Sequence, residues 1–166
     1  LRGYPYCKAA IDVAMYDAAG KFFGVPVYQL LGGLVRDRVE VAHSIGLMDI
    51  ETAVTEAEQV YADGVTCVKV KVGIDRARDI ELVRRIRASV PDLRIRVDAN
   101  QGYKSWKEAL QVTKQMGAMG VWFMEQPVEG LEAMARVATA TDVPIMADES
   151  SWDAHDLLRL IRHDAC

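Results

Sequence analysis

From residue 39 to the last residue, short β-branched and apolar runs alternate with longer segments of helical pattern, and few folds other than successive βα units around a parallel sheet accept that alternation. Five strands are predicted: Val39 to Leu47, Thr66 to Val72, Arg94 to Asp98, Val121 to Glu125 and Pro144 to Asp148. The intervening helices carry their own punctuation. Asp49 can cap a helix ending at Gly64, Asp75 one ending before Pro91, and Ser105-Trp106-Lys107-Glu108 spells a capping box. Leu131 to Thr139 and Asp153 to Arg162 follow as two more helices. The first 38 residues differ. Ala9 to Phe22 reads as a small-residue amphipathic helix, Gly24-Val25-Pro26 breaks it, and Val27 to Leu31 makes a short second helix before Gly32-Gly33. The expected division is a helical lead-in over 1–38 and a β/α body over 39–166. A closed barrel of eight units needs about 250 residues. Five units in 166 residues therefore predict a partial TIM-like (β/α) barrel.

Composition narrows the function. Half the residues are hydrophobic and the net charge is −4, ordinary for a globular chain with its own core. Lys and Arg are scattered among Asp and Glu, so no basic stripe for nucleic acid is expected. No apolar run reaches the roughly 18 residues of a membrane span, and the amino terminus lacks the pattern of a signal peptide. A cytoplasmic compartment is the default. Cys7, Cys67 and Cys166 are odd in number and far apart, which argues against a disulfide framework or a zinc site. A small-molecule partner is expected, and a homo-oligomer.

Strand periodicity locates the chemistry. In Cys67-Val68-Lys69-Val70-Lys71-Val72 the valines share one face and the lysines the other. Arg96 and Asp98 lie opposite Ile95 and Val97, Glu125 shares a face with Phe123, and Asp148 shares one with Met146. If the aliphatic faces meet the helices, two lysines and three carboxylates converge on the mouth at the carboxyl ends of the strands, where active sites of such barrels lie. Lys71, Asp98, Glu125 and Asp148 each end a predicted strand, at separations of 27, 27 and 23 positions. Three carboxylates in a water-poor mouth repel one another unless a cation compensates them. An all-oxygen cluster suits a hard octahedral ion, with Mg²⁺ the first choice and Mn²⁺ the second.

The strings Lys69-Val70-Lys71, Asp98-Ala99-Asn100, Glu125-Gln126-Pro127 and Asp148-Glu149-Ser150 resemble, in order and spacing, the motifs of the enolase superfamily, in particular its muconate lactonizing and mandelate racemase-like subgroup. Ala10 to Asp17, Gly20-Lys21 and Leu30-Leu31-Gly32-Gly33 resemble that family's entry into its barrel. The resemblance implies a modified β/α barrel and Mg²⁺ held by Asp98, Glu125 and Asp148. It also implies that Lys71 is the base that removes a proton α to a substrate carboxylate, through a metal-stabilised enediolate. Lys69 then acts as a cationic neighbour that lowers the pKa of Lys71 and as a contact to the substrate carboxylate. Cycloisomerisation, racemisation or epimerisation, and dehydration all remain open as outcomes. The family's capping domain, its last barrel strands and a second lysine on the sixth strand would lie outside these residues, so the chain alone is expected to bind Mg²⁺ weakly and turn over poorly. A non-catalytic assembly or binding piece is the reading from a different class.

Asn100 and Glu149 are expected to orient the groups that touch metal or substrate. His43 and Ser44 sit on opposite faces of the first strand, so only one can line a substrate pocket. Arg96 reads as an inward structural counter-charge, and His155 and His163 as solvated. Trp106, Trp122 and Trp152 read as helix and interface packing, because no basic groove accompanies them. No G-x-S-x-G elbow and no G-x-G-x-x-G loop is present, which removes serine hydrolase and dinucleotide readings.

Overall fold

A computed structural model describes residues 3–166, which form two units, one running to Glu40 and the other Val41–Cys166. The first holds α1 (Pro5–Phe23) and α2 (Val27–Leu30). Proline in the first turn lets α1 begin four residues before the predicted Ala9, because its missing N–H has no intrahelical partner to lose. Gly24, at φ 67°, ends the helix in the left-handed conformation glycine tolerates. Within this unit Gly20 is the one buried residue of α1, since Val25 O stands 2.9 Å from where its Cβ would be.

The second unit follows the order β1 (His43–Ile45), α3 (Ile50–Ala62), β2 (Cys67–Lys71), α4 (Arg76–Ser89), β3 (Arg94–Asp98), α5 (Trp106–Ala118), β4 (Val121–Glu125), α6 (Leu131–Ala138), β5 (Ile145–Met146), α7 (Ala154–Arg162). All strand pairs are parallel, in the order β1-β2-β3-β4-β5. An order that never reverses sends each crossover the same way, so α3 to α6 line up along one face and leave the other to the charged residues. The apolar face is formed by Ile45, Val68, Val70, Ile95, Val97 and Met124, all fully buried. Against it pack Ala53 and Ala57 of α3, Leu82, Val83 and Ile86 of α4, Ala109, Val112 and Met116 of α5, and Met134 and Val137 of α6. Each large aliphatic side chain so enclosed contributes about 1.5–3 kcal/mol.

The expected caps form: Asp49 accepts from Thr52 N, Asp75 from Arg78 N, Ser105 from Glu108 N, and Asp153 from His155 N and Asp156 N. Glu108 closes its box on Lys104 N, one residue before the cap. No described helix is long and apolar enough to cross a membrane.

Three differences from the expected strands have physical causes. The first strand is confined to His43–Ile45, the stretch with ladder partners on β2, whereas Val39 and Val41 lie exposed, so β propensity without a partner makes no strand. The fifth is confined to Ile145–Met146, which leaves Asp148 in the loop beyond it. In β4 the register slips: Ile95 pairs with Val121 but Val97 with Met124, so one extra residue is accommodated on β4. That bulge carries a consequence for the site. Val121 is buried, and strict alternation would have turned Glu125 to the same side; the bulge resets the phase so that Met124 is buried and Glu125 pairs level with Asp98. Trp122 and Phe123 both lie beneath arginine side chains, those of Arg94 and Arg96 respectively, each at 5.7 Å.

Candidate metal centre

Lys71, Asp98 and Glu125 are the last residues of β2, β3 and β4, and the ladder sets them side by side in one row. Lys69 lies one row deeper, level with Ser44 and Arg96. Lys69 Nζ reaches Asp98 Oδ2 at 2.8 Å and Glu125 Oε1 at 2.7 Å, while Lys71 Nζ reaches Asp98 Oδ2 at 2.6 Å. One Asp98 oxygen thus meets both ammonium groups, and the other accepts Asn100 N at 2.9 Å.

The electrostatics follow from these contacts. Burial alone would raise the pKa of Asp98, but the lysines and the Asn100 N–H outweigh it and hold the carboxyl below its ordinary range. Burial alone would lower that of Lys69, yet Asp98 and Glu125 hold the ammonium above the usual lysine range.

One carboxylate oxygen from each of Asp98, Glu125 and Asp148 lies within 4.8 Å of the others. Oxygens around an octahedral hard cation with bonds of about 2.1 Å stand about 3–4 Å apart. The three acids therefore fit around one such ion with small side-chain movements. The set is all oxygen, two members buried and Asp148 exposed, which leaves a solvent side for water or substrate.

Asn100 joins Lys71 to the fifth-strand loop. At φ 43°, a left-handed geometry that asparagine tolerates, its Oδ1 accepts from Lys71 Nζ at 2.5 Å and its Nδ2 donates to Glu149 Oε1 at 2.9 Å. Glu149 Oε2 is buried with no hydrogen-bond partner among the described residues. Of the two candidate pocket residues on β1, Ser44 sits level with Lys69, while His43 sits level with Val68 and its Nε2 lies 2.6 Å from Glu56 of α3. Arg96 stacks over Phe123, and its Nε is buried without a partner among the described residues.

Two functional supports escaped sequence reasoning. Asp79, fully buried in the first turn of α4, accepts from Gly73 N at 2.7 Å, Ile74 N at 3.2 Å and Tyr103 Oη at 3.3 Å, and pairs with Arg78 at 3.0 Å. It ties down the loop that follows Lys71. Burial, then the Asp79 charge, pushes the Tyr103 hydroxyl well above its ordinary range. That loop and the one after β3 are in close contact: a Cβ on Gly102 would stand 2.1 Å from Gly73 O. Gln126, fully buried at the end of β4, is the second.

Comparison with known proteins agrees with this geometry. Residues 52–166 match the family described as "Enolase C-terminal domain-like", and residues 3–32 match "Mandelate racemase / muconate lactonizing enzyme, N-terminal domain", one match in each unit. The L-Ala-D/L-Glu epimerase of Bacillus subtilis is 38% identical over 98% of this chain and 45% of its own length. The N-succinyl-L-Arg/Lys racemase of Bacillus cereus is 35% identical over the same shares, and its crystal structure superposes on the whole chain and 46% of its own with a TM-score of 0.95. The dipeptide epimerase from Cytophaga hutchinsonii, solved with Mg and D-Ala-L-Val, is 31% identical over the whole chain and 46% of its own, TM-score 0.93. A muconate cycloisomerase and a cis-3-hydroxy-L-proline dehydratase are also relatives. The chain spans a little under half the length of the curated relatives it matches. With a partial β/α barrel, a strand-end carboxylate trio and matches over more than two thirds of its residues, the chain belongs to the enolase superfamily, in its mandelate racemase and muconate lactonizing enzyme group.

Proposed function

We propose that the intact protein removes the proton α to a carboxylate, with Mg²⁺ held by Asp98, Glu125 and Asp148 and with Lys71 as the base. The observation that carries this reading is the meeting of three carboxylate oxygens within 4.8 Å, beside two amines from the neighbouring strand. A bound divalent ion supplies Lewis-acid stabilisation for the charge that builds on the substrate carboxylate. The chain's own groups do the rest. Lys71 at the rim takes the proton at its Nζ, and Asn100, bonded to both Lys71 and Glu149, sets the direction of that amine. Lys69, beside Asp98 and Glu125, adds positive charge for the substrate carboxylate to meet. Ser44, level with Lys69 on the neighbouring strand, is the candidate on β1 for a substrate contact.

The favoured outcome is racemisation or epimerisation of an N-acylated amino acid or dipeptide. The names of the three relatives share that substrate architecture, an α-carboxylate next to an amide-bearing carbon. Inversion also requires an acid/base group on the opposite face of the substrate. Cycloisomerisation and dehydration begin with related chemistry and are distinguished by product.

The test is exchange of the substrate α-proton with solvent deuterium, followed by NMR for a panel of dipeptides and N-succinyl amino acids with Mg²⁺ and the intact protein. Lys71→Ala should slow base-dependent exchange about 10²- to 10⁴-fold. Exchange that survives both Lys71→Ala and chelation of the metal would remove the proposal.

A further inference from the structure

The three carboxylates are not held alike. Asp98 and Glu125 end strands with ladder neighbours on both sides, Lys71 and Glu125 for the first, Asp98 and Met146 for the second. Asp148 lies two residues past the end of a two-residue strand and is exposed. No ladder fixes its backbone. Its carbonyl accepts from Ser151 N at 2.9 Å within its own loop, and its amide is held from across the sheet by one buried side chain. Gln126 Oε1 accepts from Asp148 N at 3.0 Å and from Ser150 N at 3.2 Å, while its Nε2 donates to Val128 O at 3.1 Å and Ser150 Oγ at 2.8 Å. Its main chain joins the same work: Gln126 N donates to Met146 O at 2.9 Å, and its carbonyl accepts from Gln101 N at 2.8 Å.

We infer that Gln126 is a positioning residue for Asp148, its carboxamide replacing the ladder that β5 lacks; this rests on the metal reading above. Glutamine suits the place chemically. Only a carboxamide offers two acceptor sites on one atom and two donors on another, and here all four are used. A carboxylate would face Val128 O with no proton to give, and a methionine of similar size would leave the Asp148 and Ser150 amides without their acceptor. The residue sits in the left-handed region at φ 36°.

The experiment measures Mn²⁺ affinity of the intact protein by electron paramagnetic resonance for wild type, Gln126→Met, Asp148→Asn, the double variant, and Ser105→Ala as a destabilised control away from the site. Gln126→Met should weaken binding about 10- to 100-fold, as loss of an outer partner of a ligand does. Ser105→Ala should leave affinity unchanged. Gln126→Met should cost little more once Asp148 is already Asn, because its effect runs through that ligand. Wild-type affinity in Gln126→Met, or a full additional loss in the double variant, overturns the inference. Wild-type protein that binds no Mn²⁺, or binds it undiminished by Asp148→Asn, overturns the metal reading and the inference together. Amide hydrogen exchange on unaltered protein gives a reading that needs no variant to fold. The Asp148 and Ser150 amides should exchange as slowly as strand amides, and exchange at open-loop rates contradicts the clamp.

Discussion

Replacement of Asp79 by leucine tests how the loop behind the lysine strand is held. The side chain is fully buried, carries a charge paired with Arg78, and serves as the acceptor for two amides and a phenol. Leucine of similar size fills the space and removes every acceptor at once. Breaking a buried pair by deleting one partner costs about 3–5 kcal/mol. An orphaned donor adds about 1–3 kcal/mol where water cannot reach it. Arg78 is partly exposed, so the expected loss lies at the lower end, about 3 kcal/mol. Tm falls with it, by less per kcal/mol the larger the intact protein. Asp79→Asn keeps one acceptor oxygen and should fall between leucine and wild type. Differential scanning calorimetry of the intact protein measures both, with α-proton exchange assayed below the lower Tm. Exchange should slow in Asp79→Leu, because Lys71 stands two residues before Gly73. An Asp79→Leu protein within about 1 kcal/mol of wild type would refute the reasoning, since that is the worth of an ordinary hydrogen bond.

Further outcomes follow from individual contacts. Asn100→Gly keeps the left-handed backbone and removes the link between Lys71 and Glu149, so α-proton exchange should slow about tenfold or more while calorimetry shows a fold that remains cooperative. Gly102→Ala forces a Cβ onto Gly73 O, a backbone atom, and should destabilise by about 1–3 kcal/mol, read from urea unfolding. The Thr52 hydroxyl first, and then the Thr52 amide, hold the Asp49 carboxyl below its ordinary range. A depressed carboxyl stabilises above its unfolded pKa and loses that contribution as pH falls through the folded value. The Tm gap between wild type and Asp49→Ala should therefore be largest near neutrality and shrink below about pH 4; a gap that widens in acid would contradict the cap.

Local patterns made much of this protein legible. Lys71, Asp98 and Glu125 could be placed at strand ends because side-chain period and turn punctuation are properties of a few neighbouring residues. The caps at Asp49, Asp75, Ser105 and Asp153 are local for the same reason. What stayed hidden depends on partners distant in sequence. The β4 bulge is visible only against β3, and without it the reading of Glu125 as inward would conflict with the burial of Val121. Asp79 resembles any acid in a first helical turn until Tyr103 and Gly73 arrive from other loops. His43 and Ser44 were a pair with one place in the mouth between them. Their register to β2 and the approach of Glu56 decide which residue turns where. Gln126 appeared within a recognisable string, but its four side-chain bonds reach a loop 22 to 24 residues away as well as its own turn.

In the proposed site one hard cation is shared by Asp98 and Glu125 at two strand ends and Asp148 in the loop after a third. Anomalous diffraction from Mn²⁺-loaded crystals of the intact protein tests it directly. A single strong peak is expected, with an oxygen of Asp98, of Glu125 and of Asp148 each about 2.0–2.3 Å away. A peak elsewhere, or one that leaves any of the three beyond bonding distance, contradicts it.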